Sequence, residues 1–200
     1  MLNINYFRQR TNFVYTPKRS ALIVLDVQNY FANPKGRAYL SSSVAASKNI
    51  LTIVDVFNKI KRPVILTKHF QRSDAGIMQK FYNDRIKENE WDADIINELK
   101  EINAELIEKE TYDAFYNTSL DADLKAKGVE QLVITGCMTN RCCETTARSA
   151  FVRGYEVYFV SDATFTKTEE LHLATLGNVS DAFGVVKTTQ EIVEECRKVL

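Results

Sequence analysis

The stretch QLVITGCMTNRCCETTARSAFVRGYEVYFVSD, residues 131–162, holds the fold in miniature. An apolar run of strand length, QLVITGC (131–137), passes through MTN into a helical pattern over 140–153, and EVYFVSD (156–162) follows as a second apolar run. Strand, helix and strand with short joints make the unit of a parallel sheet, because a parallel crossover needs a dozen or more residues and is usually helical. Within the helix Cys143, Ala147, Ala150 and Phe151 recur as an apolar stripe, which assigns Cys143 to packing. Cys142 lies about 100° round the helix, in line with Thr146 and Ser149, on the side that can face the strand ends. A thiol in the first helical turn meets N–H groups that lack intrahelical partners, together with the positive end of the macrodipole. It is therefore expected to ionise more easily than a free cysteine and to attack carbon, with an oxyanion site beside it. The competing reading is an inert packing thiol, since free cysteine is among the most buried residue types.

Outward from this unit the alternation continues. Apolar runs of strand length stand at ALIVLDV (21–27), PVILTKH (63–69), ELIEKE (105–110) and GVVKT (184–188), giving six strands in all. Helical patterns stand between them at about 41–61, 91–100, 118–127, 168–182 and 189–199. The first opens on Ser41, Ser42 and Ser43 and spaces Val44, Ile50, Ile53, Val54 and Phe57 along one face. The expected fold is a three-layer α/β/α domain with a six-stranded, mostly parallel, Rossmann-like sheet over residues 20–200. Residues 1–19 fall outside the pattern as an N-terminal arm, whose Tyr6, Phe7, Phe13 and Tyr15 would need cover, which a neighbouring subunit could supply.

Composition narrows the partners. Lys+Arg and Asp+Glu balance at 26 each in 200 residues, and no basic run interleaves with aromatics, so no nucleic-acid partner is expected. No apolar stretch approaches the roughly 20 residues of a membrane span, and the first twenty residues lack the core of a signal peptide. The expected setting is the cytoplasm, away from membranes. The four cysteines include an adjacent pair and no C-x-x-C, so they read as thiols rather than as disulfides or zinc ligands.

In an open α/β sheet the ligand crevice lies beyond the carboxyl ends of the strands. Three reactive side chains fall there: Asp26 after ALIVL, Lys109 after ELIE, and Cys142 after QLVITGC. Singly each has a plain alternative, Asp26 as a turn cap and Lys109 as one solvated charge among Glu105, Glu108 and Glu110. Jointly a carboxylate that can take a thiol proton, an ammonium and a cysteine at a helix start form a complete hydrolytic set.

At this point the chain resembles the isochorismatase-like cysteine hydrolases, which include nicotinamidases, N-carbamoylsarcosine amidases and ureidoacrylate amidohydrolases. The resemblance rests on LIVLDVQNYF with Asp26 and Gln28, KETYDAF with Lys109 and Phe115, and VITGCMTNRCCETTARSAFVRGYEVYFVSDAT around Cys142, and spans Ala21 to Ile192. It implies a triad of Cys142, Asp26 and Lys109, and a non-proline cis peptide joining Cys137 to Met138. The Met138 N–H would then form an oxyanion hole with the N–H of Cys142. It further implies substrate contacts from Gln28, Phe31 and Phe115. His69, at the end of PVILTKH, reads either as a substrate-binding pocket residue or as one that satisfies the loop by hydrogen bonds, and His172, inside a helical pattern, reads as structural. Asn140 and Ser149 stand where the family usually carries Asp, and neither replaces a triad member. Nicotinamidases also hold a metal with an Asp and several His, whereas this chain has two histidines and no D-x-H pair, so no metal and no cofactor are expected. The segment Phe70 to Trp91, with Phe81 and Tyr82, reads either as a lid over the crevice or as an ordinary packed loop. The implied partner is a small-molecule substrate and the implied assembly a homodimer or homotetramer. Two other functions stay open: a vinyl-ether hydrolase of the isochorismatase type, and a catalytically silent binding protein on the same scaffold.

Overall fold

The computed structural model describes residues 11–72 and 77–200. Six strands run β1 Ser20–Leu25, β2 Val64–His69, β3 Glu105–Lys109, β4 Gln131–Cys137, β5 Glu156–Phe165 and β6 Val185–Lys187. They form one sheet in the order β3-β2-β1-β4-β5-β6, with every neighbouring pair parallel. The main helices are α1 Ser43–Lys59, α2 Ile77–Tyr82, α3 Leu120–Ala126, α4 Glu144–Val152, α5 Glu169–Ala182 and α6 Thr189–Arg197.

Strand β1 shows why the sheet must be covered twice. All six of its residues are buried. Leu22 and Val24 enter one core with Ile50, Ile53 and Phe57 of α1 and Ile192 of α6; Ala21, Ile23 and Leu25 enter the other with Leu124 of α3, Ala147 of α4 and Leu176 of α5. The period-2 alternation thus feeds two apolar layers, each Leu, Ile or Val side chain contributing roughly 1.5–3 kcal/mol by its burial.

Several boundaries differ from expectation for local reasons. The helix expected over 91–100 is only a turn at Trp91–Ala93 and a short helix at Asn97–Lys100. Between them the backbone is pulled straight, because Asn29 N–H donates to the Asp94 carbonyl and Ile96 N–H to the Val27 carbonyl. Phe151 leaves the stripe it was assigned to and is 42% exposed, while Cys143, Ala147 and Ala150 are fully buried. Of the aromatics before residue 20, Tyr6 and Phe7 lie outside the described residues. Tyr15 is covered by its own chain rather than by a neighbour: its ring lies 4.8 Å from that of Tyr158, and its hydroxyl is 3.1 Å from Ser20 Oγ. Phe13 also packs on the core, and the Gln131 side chain accepts from Thr16 N–H and donates to the Val14 carbonyl. Among the described residues no helix is long and apolar enough to cross a membrane.

The chain builds β1 to β3 on one side and β4 to β6 on the other, so the segments that follow β1 and β4 leave toward opposite faces and a crevice lies between them at the carboxyl ends. At that junction Gly136 (φ 105°) pairs with Leu25, and a Cβ on it would lie 2.1 Å from the Leu25 carbonyl oxygen. A side chain there would push the two strand ends apart.

Candidate active site

Asp26 is the first residue past β1, in a left-handed conformation (φ 51°) that turns its carboxylate back over the sheet end. Thr67 of β2 clamps it twice: its hydroxyl accepts from Asp26 N–H at 3.1 Å and donates to Oδ1 at 2.6 Å. Lys109, the last residue of β3, reaches across β2 to place Nζ 2.7 Å from Asp26 Oδ2. Its other protons go to the Thr111 carbonyl at 2.8 Å and to Cys142 Sγ at 3.4 Å. Neither side chain of the ion pair has any solvent exposure, so Lys109 is not the solvated charge its acidic neighbours suggested.

Beyond β4 the chain passes a cis peptide between Cys137 and Met138 and makes a one-turn π-helix, Thr139–Cys143, before α4 begins. Cys142 sits in that turn. His172 of α5 pins the turn through Nδ1, 3.1 Å from Thr139 Oγ1, and Asn140 Oδ1 accepts from Thr166 at 2.6 Å. Ser149 donates to Asp113 Oδ2 at 2.7 Å, while Asp113 Oδ1 accepts from Phe115 N–H.

The electrostatics reverse one expectation. A helix terminus contributes typically 0.3–1 kcal/mol toward an anion, and here burial is the larger effect. Burial, and after it the Asp26 carboxylate, push the Cys142 thiol up to about 12, against the downward pull of Lys109. For Lys109 burial acts downward, but Asp26 and then Cys142 outweigh it and hold the group above its ordinary range. In the free site the thiol therefore keeps its proton and Lys109 stays an ammonium. His69 falls to about 4 through burial and the Lys109 charge, so its imidazole is neutral at physiological pH.

A cavity of about 260 Å³ opens in front of Cys142, walled by Tyr30, Phe31, Leu40, Tyr82 and Tyr112, with Met138, Arg141 and His69 also lining it. Two residues expected at substrate are elsewhere. Gln28 is fully buried and ties β2 to the loop after it, donating to the His69 and Ala93 carbonyls (both 2.8 Å) and accepting from His69 N–H (2.9 Å). Phe115 packs in the second core with its ring 5.9 Å from that of Tyr155. Of the segment 70–91, Met78, Tyr82, Asp84, Arg85 and Ile86 line the cavity, whereas Phe81 and Trp91 are exposed and do not line it, and residues 73–76 lie outside the described residues. Gln71, which the sequence reading passed over, lines the cavity with its Oε1 buried and unpartnered, as is His69 Nδ1. Among the described residues no three His, Cys, Asp or Glu side chains gather as a metal site would require.

This geometry predicts how the thiols react. Cys137, Cys143 and Cys196 are wholly buried and their pKa values are raised by burial, whereas Cys142 lines the cavity. Iodoacetamide should modify Cys142 first, and its rate should climb about tenfold per pH unit from pH 6 to 9 without levelling, as a thiol with a pKa well above that window requires. Mass mapping of the labelled peptide and a rate-against-pH series check this; a plateau below pH 7 would show a resting thiolate.

Comparison with known proteins agrees with the site's plan. The isochorismatase domain model matches residues 20–191. The chain is 40% identical over 172 residues to nicotinamidase 3 of Arabidopsis thaliana, covering 83% of each protein. It is 30% identical over 204 residues to a ureidoacrylate amidohydrolase of Acinetobacter baylyi, covering 88% of this chain and 83% of that one. The crystal structure of a cysteine hydrolase from Pseudomonas syringae pv. phaseolicola superposes with a TM-score of 0.88 at 28% identity, over 94% of this chain and 97% of that chain. With the parallel six-stranded sheet and the crevice at its centre, these matches establish that the chain belongs to the isochorismatase family and is a hydrolase.

Proposed function

We propose that the protein is a cysteine amidohydrolase that cleaves the C–N bond of a small amide, ureido or N-carbamoyl compound through a thioester on Cys142. The observation that carries this reading is the contact chain from Asp26 through the Lys109 ammonium to the Cys142 sulfur, closed off from bulk water at the end of a cavity of small-molecule size. The relatives named for nicotinamide and ureidoacrylate hydrolysis support amide chemistry.

In this mechanism the thiol still holds its proton when substrate arrives. Asp26 takes that proton as sulfur attacks the carbonyl carbon, and Lys109 balances the charge, first on the carboxylate and then on the developing sulfur centre. The carbonyl oxygen becomes an anion held by the N–H groups of Met138 and Cys142. Collapse of the tetrahedral adduct breaks the C–N bond, and the Asp26 acid protonates the departing ammonia or amine. Water then gives a proton to Asp26 while its oxygen attacks the thioester; collapse releases the acid, and the thiolate recovers the proton from Asp26.

The test is ammonia or amine release from a panel of small amides, ureido and N-carbamoyl compounds, nicotinamide included, with isochorismate as the vinyl-ether control. Turnover of at least one amide is expected. Turnover of isochorismate alone would move the reaction to ether cleavage, and no turnover with an unreactive Cys142 would leave a binding protein.

A further inference from the structure

The cavity in front of Cys142 carries more positive charge than amide hydrolysis needs. Arg85, Arg141 and Lys167 line it, against one carboxylate, that of Asp84. Asp84 is already engaged: Arg37 Nη1 lies 2.9 Å from Oδ1, and the Tyr30 hydroxyl donates to Oδ2 at 2.8 Å. Arg85 has interactions of its own. Arg141 differs. It is half-buried, its guanidinium lies over the Tyr82 ring at 4.9 Å from the centroid, and among the described residues no carboxylate pairs with it. Tyr82 is itself fixed by a hydroxyl contact with Tyr112.

A guanidinium held over an aromatic face and not paired with a carboxylate keeps N–H groups available for a planar anion, which it can grip with two parallel hydrogen bonds. Arg141 also stands next to the nucleophile in sequence, and its backbone N–H donates to the Met138 carbonyl at 2.9 Å, within the same turn. An anion held by its side chain therefore lies within one side-chain length of the attacking sulfur. Lys167, exposed and without an ion-pair partner among the described residues, adds a second cation to the same cavity.

We propose that Arg141 makes this site selective for amides that carry a carboxylate a few bonds from the scissile carbonyl, an amic, ureido or N-carbamoyl acid, over neutral amides. The inference rests on the amidohydrolase reading for the reaction, but its recognition step can be measured without turnover. Cys142→Ala protein is titrated calorimetrically with two matched pairs: succinamate against succinamide, and N-carbamoylglycine against N-carbamoylglycinamide. At least one acid should bind roughly tenfold to a hundredfold tighter than its amide, the range expected of a charge-assisted hydrogen-bond pair. In Cys142→Ala/Arg141→Met that ratio should fall to within about threefold, and Arg141→Lys should recover part of it. Thermal midpoints of the variants show that each is folded. Equal or weaker binding of both acids, no binding of either, or a preference that survives Arg141→Met would overturn the proposal. An acid that binds as expected while wild-type enzyme turns over no amide of the panel would refute the reaction and leave the recognition standing.

Discussion

Cys142→Ala loses at least about 10⁴-fold in kcat/KM on any amide the wild-type protein turns over, with little change in thermal midpoint. The first half of this expectation follows from what the substitution deletes. Without sulfur there is no thioester, and the Asp26–Lys109 pair has no proton to move and no nucleophile to activate; removal of a covalent nucleophile elsewhere costs on the order of 10⁶ in kcat. The second half follows from the small volume lost and from the position of Cys142 at the cavity wall, where it lines open space rather than filling a core. The Lys109 ammonium keeps two of its three contacts, to Asp26 and to the Thr111 carbonyl, and water can take the place of the sulfur. Steady-state ammonia release and a thermal melt on the same preparation are enough. Turnover of the variant within tenfold of wild type would remove Cys142 from the mechanism and return it to the packing role that its neighbour Cys143 holds.

The sheet and the crevice were legible in the sequence because their cause is local and repetitive. Buried strands on a two-sided sheet are largely apolar, as ALIVL is and as QLVITGC is apart from the buried Gln131 and Thr135; helices must show a stripe, and α1 does through Ile50, Ile53, Val54 and Phe57, whereas Val44, expected in that stripe, is exposed in the first turn. Asp26, Lys109 and Cys142 could be placed on one rim because Asp26 directly follows ALIVL, Lys109 directly follows ELIE and Cys142 comes five residues after the end of QLVITGC. What failed was decided by contacts between distant segments. The backbone of residues 94–96 has helical company on both sides but is drawn straight by residues 27–29. Gln28, two residues past Asp26, looks like a pocket residue in one dimension, yet its amide is consumed by the His69 and Ala93 backbone. The thiol's ionisation was misjudged for the same kind of reason: the helix start is written in the sequence, whereas burial and the approach of Asp26, 116 positions earlier, arise only on folding. Arg141 sat inside the quoted motif without a role, since a cation's importance depends on whether a carboxylate neutralises it, and that depends on the pocket walls.

Lys109→Met separates two things that the buried pair does. The substitution keeps a chain of similar length in an apolar slot but leaves the Asp26 carboxylate, with 0% side-chain exposure, facing no counter-ion. Thr67 still donates to Oδ1, which compensates only part of that charge. Breaking one side of a buried ion pair typically costs about 3–5 kcal/mol, because the charge that remains has lost both water and partner. The variant should therefore lose stability of that order in urea unfolding, and kcat/KM should fall by about 10²–10⁴, the usual value of positioned proton transfer and charge stabilisation. Asp26→Asn/Lys109→Met carries the argument further. With both charges gone the slot holds a neutral amide and an apolar chain, so much of the lost stability should return, while activity stays at the level of the worse single variant. Stability restored without activity is the signature of a pair kept for chemistry. If Lys109→Met is instead as stable as wild type, the carboxylate must be reaching solvent or another donor, and the closed contact chain from Asp26 to Cys142 would not be what holds the site together.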